Sequence, residues 1–102
     1  MARPSRNLPN HEAGSTWPDE RLDDAPSEVA RQLALNLRTA MGRRSTRGVR
    51  AATGVDHTTV ADILKGTTWP DLNTIARLEH GLGVDLWPAG VAREHQVEDD
   101  QG

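Results

Sequence analysis

Residues 45–66, STRGVRAATGVDHTTVADILKG, decide the fold. They read as two short helices joined at Gly54, Val55 and Asp56. Gly54 stands where a helix C-terminus needs a left-handed residue, which glycine supplies without a Cβ penalty. Asp56 follows as an N-cap, its carboxylate accepting from the free amides of the next helix. Val55 is placed to plug inward and set the angle of the pair. Ser45, with Thr46 as the alternative, caps the first of the two helices. In the second, Val60, Ile63 and Leu64 fall three and four apart and line an apolar stripe. His57, Thr58, Ala61, Asp62 and Lys65 fall on the other side, small or polar throughout. So short a helix is marginal alone in water and must pack its stripe on neighbours. What remains outside is a polar rod about the width of a DNA major groove. The plainer reading of the same residues is a helical hairpin in any small bundle.

Outward from this stretch, an earlier helix begins near Ser27, just after Pro26. Ala30, Leu33, Ala34, Leu37 and Met41 form its apolar face, and Gly42 ends it. After a loop at 66–70, another helix starts at Asp71. Leu72, Ile75, Ala76, Leu78 and Leu82 give its apolar face, and Gly83 its end. Asp85 caps a last short turn through Leu86, Trp87 and Val91. Trp69 and Trp87 are expected as lids on helix ends; if exposed, they would mark a dimer surface. Residues 1–26 hold four of the six prolines and no periodicity, which predicts a disordered arm. Within it Trp17 and Pro18 are the feature that points to docking, and Arg3 and Arg6 are candidates for a phosphate or minor-groove contact. Residues 92–102 read as a disordered acidic tail. The predicted fold is all-α: a compact four- to five-helix bundle over 27–91 with disordered flanks.

Length and composition narrow the function classes. At 102 residues the chain supports one small domain, and a mean hydropathy of −0.65 predicts that part of it is unpacked. No stretch approaches the roughly 20 apolar residues of a membrane span, and no signal-peptide pattern heads the sequence. The absence of Cys excludes disulfides and thiolate metal sites and suits a reducing cytoplasm. Net charge is −3, but it is unevenly spread. Residues 1–28 carry three Arg and six acids, and residues 67–102 two Arg and seven acids. Residues 31–66 carry Arg31, Arg38, Arg43, Arg44, Arg47, Arg50 and Lys65 against Asp56 and Asp62, a balance of +5. The basic block coincides with the paired helices, as an electrostatic footprint for nucleic acid would.

From Ser27 to about Pro88 the chain resembles the lambda-repressor-like, or XRE-type, helix-turn-helix family. The matching landmarks are Ser45, Thr53-Gly54-Val55, His57-Thr58-Thr59-Val60, Ile63, Lys65-Gly66, Pro70 to Ile75, and Leu82-Gly83-Val84-Asp85. The ending Leu86-Trp87-Pro88 is similar to small actinobacterial and phage members. The resemblance implies a DNA-binding transcriptional regulator, repressor-like, working in the cytoplasm at the nucleoid. Helix 56–65 would enter the major groove of double-stranded DNA, and the protein would act as a homodimer on two half-sites. By the same analogy His57, Thr58, Ala61 and Asp62 would meet base edges, while Arg43, Arg44, Thr46, Arg47 and Lys65 would hold phosphates. Two residues depart from the family pattern. Arg50 replaces the usual small residue and must snorkel out or pair with Asp56 or Asp62. Asp62 on the DNA-facing side either reads a cytosine amine or weakens binding.

Catalysis has no footing in this sequence. The serines lack a His–acid context, and His11, His57, His80 and His95 show no metal-ligand spacing. There is no Gly-rich phosphate loop, so no enzyme activity, metal or cofactor is expected. The alternative function is a protein-interaction module on the same scaffold, such as an antitoxin or phage adaptor, binding a protein partner through its acidic tails.

Overall fold

The computed structural model of the chain describes residues 7–96. Among these residues all regular structure is helical: a 3₁₀ turn at Gly14–Thr16, then α1 (Ala25–Met41), α2 (Thr46–Thr53), α3 (His57–Lys65), α4 (Leu72–Leu82) and α5 (Val91–Glu94). No helix among them is long and apolar enough to cross a membrane. The expected all-α bundle is what the chain forms. Arg3 and Arg6, and the acidic run Glu98, Asp99 and Asp100, lie outside the described residues.

One core joins the helices. Leu33 and Leu37 of α1 meet Val49, Val55, Val60, Ile63, Ile75, Leu78 and Leu86, all buried, with Leu64 and Leu82 packed at the edge. Full burial of each such side chain contributes about 1.5–3 kcal/mol. Val55 plugs the interior as its position in the turn predicts. Gly81 permits a contact that the apolar pattern does not reveal. A Cβ there would lie 2.6 Å from the Ala52 carbonyl oxygen and 2.7 Å from Thr53 Cα, so its absence lets α4 touch the end of α2.

Several expectations are corrected by packing. The first helix starts at Ala25, not near Ser27: Asp24 is the N-cap, accepting from the Ser27 amide at 3.1 Å and the Ser27 hydroxyl at 2.7 Å. Pro26 sits inside the first turn, where its missing N–H would have no partner in any case. Leu72 is 82% exposed and Ala76 is exposed too, so the inward face of α4 is Ile75 and Leu78, with Leu82 at its rim. Leu72 opens the helix, where little else surrounds it. Trp69 and Trp87 are about half exposed and are not lids; Leu86, 1% exposed, is the plug. Asn36 Nδ2 donates to the Leu86 carbonyl, and Glu79 Oε2 accepts from the amides of Leu86 and Trp87, which turns the chain there. Bonds from Trp87 and then Leu86 hold the Glu79 carboxyl below its ordinary value.

Residues 7–24, expected within a disordered arm, are packed on the bundle. Leu22 and Pro9 are buried, and Trp17 Nε1 donates to the Leu64 carbonyl at 2.9 Å. The anchor at the start of α1 is Glu28, whose side chain is 2% exposed. It accepts from Arg31 Nε and Nη2, Gln32 Nε2 and the Leu22 amide, while Arg31 Nη1 donates to the Pro18 carbonyl. At the other end, α5 continues to Glu94, beyond the expected boundary at 91. His95 Nε2 donates to the Asp23 carbonyl, and Arg21 donates to the Gln96 carbonyl.

Candidate nucleic-acid interface

The turn between α2 and α3 is built by local chemistry. Ser45 Oγ, rather than Thr46, accepts from the Gly48 amide at 3.1 Å and starts α2. Gly54 ends it at φ 81°, in the left-handed region, and its amide donates to Arg50 O. Thr53 Oγ1 donates to the Val49 carbonyl and accepts from the Val55 amide, which sends Val55 inward. Asp56 Oδ2 then accepts from the Thr58 amide at 3.2 Å and starts α3.

The four residues expected at base edges sit on or beside the outer side of α3, but their side chains are not equally available. The Thr58 hydroxyl donates to Asp56 Oδ2, so Thr58 offers a DNA base only its lone pairs and its methyl group. That bond, more than any other, lowers the Asp56 carboxyl from its ordinary value, against a smaller effect of burial; the Thr58 amide, His57 and Arg50 add to it. His57 is partly buried. Its Nδ1 is shielded from solvent and lies 3.8 Å from Asp56 Oδ1, too far for a hydrogen bond, and has no other partner among the described residues. Ala61 is partly exposed. Asp62 Oδ1 accepts from Thr67 Oγ1 at 3.2 Å and lies 4.0 Å from Lys65 Nζ, so this carboxylate is partly engaged in its own helix end.

The expected phosphate set is open. Arg43, Arg44 and Arg47 are exposed, and their side chains form no hydrogen bond or ion pair within the described residues. They stand in the loop before α2 and in its first turn, next to partly exposed Thr46. The amides of a first helical turn that lack intrahelical partners favour an anion. Lys65 is 66% exposed at the other end of α3. Arg50 snorkels: it is exposed, pulls electrostatically on Asp56, and closes no ion pair with either acid among the described residues. Arg31 leaves the basic block, because its guanidinium is committed to Glu28. Among the described residues no cluster of three His, Cys, Asp or Glu side chains is placed to hold a metal.

Sequence reasoning expected Trp17 to dock, but it missed Asn10 and the place on α3 where the N-terminal segment lands. Asn10 and Trp17 reach the end of α3 from about fifty positions away in sequence, and Trp69 Nε1 donates to the Asn7 carbonyl beside them. Trp17 was the available signal, since an indole in an otherwise polar arm costs exposed apolar surface unless it docks. Comparison with known proteins adds no relative: no family model, no curated protein and no solved structure matches the chain.

Proposed function

We propose that the chain is a double-stranded-DNA-binding regulator of transcription, repressor-like, that presents α3 to the major groove and acts in the cytoplasm as a homodimer. The observation that carries the reading is the set of exposed arginines at 43, 44 and 47, their side chains unpaired among the described residues, around the N-terminus of α2, joined through a tight turn to a helix with a small polar outer side. The arginines and Thr46 would hold phosphates, with Lys65 at the far end of α3. Thr58 and Ala61 would meet base edges through short contacts, thymine methyl groups among them, and His57 would add a hydrogen bond. Nothing in this scheme needs a cofactor.

The test is selection of bound sequences from a random duplex pool, repeated with Ala61→Glu. That substitution adds a carboxylate to the outer side of α3 while leaving the Asp56–Thr58 cap in place. An enriched motif that the variant loses supports the reading. With the selected duplex, Arg47→Ala should lower the slope of log affinity against log salt by about one. A second reading, a protein-interaction module, is favoured by one observation: Asp62 leaves a partly exposed carboxylate on α3, where it would repel phosphates. No enrichment at low salt from folded protein would select that reading.

A further inference from the structure

The last turn of an α-helix leaves four carbonyls without intrahelical partners. In α3 these belong to Asp62, Ile63, Leu64 and Lys65. The first two are closed locally, Asp62 by the Thr67 amide at 3.0 Å and Ile63 by the Gly66 amide at 3.2 Å. The other two are closed from the far end of the sequence. Trp17 Nε1 donates to the Leu64 carbonyl at 2.9 Å, and Asn10 Nδ2 donates to the Lys65 carbonyl at 2.9 Å. The Asn10 amide also donates to the Gly66 carbonyl, at 3.1 Å. The fit is close. Gly66 has φ +75°, and a Cβ there would lie 2.6 Å from Trp17 Cε2 and 2.9 Å from Asn10 Cβ. The indole and the Asn10 side chain therefore occupy the space that any side chain at position 66 would need. The segment is tied down at its other end by the Glu28–Leu22 and Arg31–Pro18 bonds.

We propose that residues 7–24 are a strap that fixes the C-terminal end of α3, with Trp17 and Asn10 as positioning residues for a phosphate contact made by Lys65. This rests on the reading of α3 as the DNA-facing helix. Clamping the Lys65 and Gly66 carbonyls holds the point from which the Lys65 side chain emerges. A frayed last turn would have to be ordered on binding, and that ordering would be subtracted from affinity. Neither Trp17 nor Asn10 carries charge, so their loss changes the salt slope only through what they hold.

The experiment compares the full chain with Trp17→Phe, Asn10→Ala, Lys65→Ala and the Trp17→Phe/Lys65→Ala double variant. Amide hydrogen exchange is read at Gly66 and Thr67, and binding to a short mixed-sequence duplex is titrated across salt concentrations. Either strap variant should speed exchange at Gly66 and Thr67 by roughly tenfold or more while the core amides stay protected. Each should also weaken binding several-fold and lower the salt slope by about one, as Lys65→Ala does. The double variant should bind no more weakly than Lys65→Ala alone, because the two changes remove the same contact. A strap that only stabilises the fold would reduce the amount of active protein and leave the slope unchanged. Additive losses, an unchanged slope, or unchanged exchange would each overturn the proposal. If the wild type binds no duplex, the DNA reading and the Lys65 role both fall, while the exchange data alone decide whether the strap holds α3.

Discussion

Replacing Glu28 with Gln should destabilise the protein by about 2–3 kcal/mol at neutral pH, and by progressively less in acid. The carboxylate is almost fully enclosed and accepts four hydrogen bonds, two of them from Arg31 at 2.8 and 2.6 Å. Burial by itself would raise its pKa, but the bonds from Arg31, Gln32 and Leu22 outweigh that and hold it at about 2 against an ordinary 4.5. A group whose pKa is lower in the folded state contributes stability that is fully present above about 4.5 and disappears as pH falls through about 2. At 1.36 kcal/mol per pH unit the interval sets an upper bound of about 3.4 kcal/mol, and solvent at the Arg31 edge reduces it. For a domain of this size the loss corresponds to a fall in Tm of roughly 10–20 °C. Urea unfolding of wild type and variant, followed by Trp fluorescence, gives the difference at pH 7 and near pH 2.5. It should shrink to about 1 kcal/mol or less in acid, because the wild-type carboxylate is then largely protonated in the unfolded chain and partly so in the fold. Asp56, Asp71 and Glu79 also have lowered pKa values, but they titrate in both proteins and cancel. A difference that is equal at both pH values, or below about 0.5 kcal/mol at pH 7, would refute the ion-pair account.

Three further expectations concern the scaffold. Gly81→Ala should destabilise by about 1–3 kcal/mol, read as a lower urea midpoint, because the new methyl meets the backbone of Ala52 and Thr53 and neither can move aside. Ser45→Ala should cost about 1 kcal/mol by removing the acceptor for the Gly48 amide, whereas Thr46→Ala should change stability by under about 0.5 kcal/mol. Leu72→Ser should stay within about 0.5 kcal/mol of wild type in the same melts, since the side chain is largely in water.

The parts of the fold legible in the sequence are those governed by neighbouring residues. Ser45, Asp56 and Asp71 cap helices because a short polar side chain reaches the amide two or three positions on. Gly54 and Gly83 end helices because only the backbone at that point must turn left-handed. Val60 and Ile63 are buried together because helical period alone puts them on one side. The candidate interface was legible for the same reason: the residues from Ser45 to Lys65 supply their own turn, caps and charge.

What only the tertiary structure decided depends on contacts between distant parts of the chain. Leu72 obeys the apolar period of α4 yet faces water, because a period names a side of a helix and not what packs on it. Arg31 counts toward a basic block in the sequence but is neutralised by Glu28, which is itself enclosed by Leu22 and the strap. No local rule places Trp17 against Gly66, forty-nine positions away. That meeting exists because the end of α3 has unpaired carbonyls and no Cβ in the way, and an indole N–H can satisfy one of them while its ring leaves water.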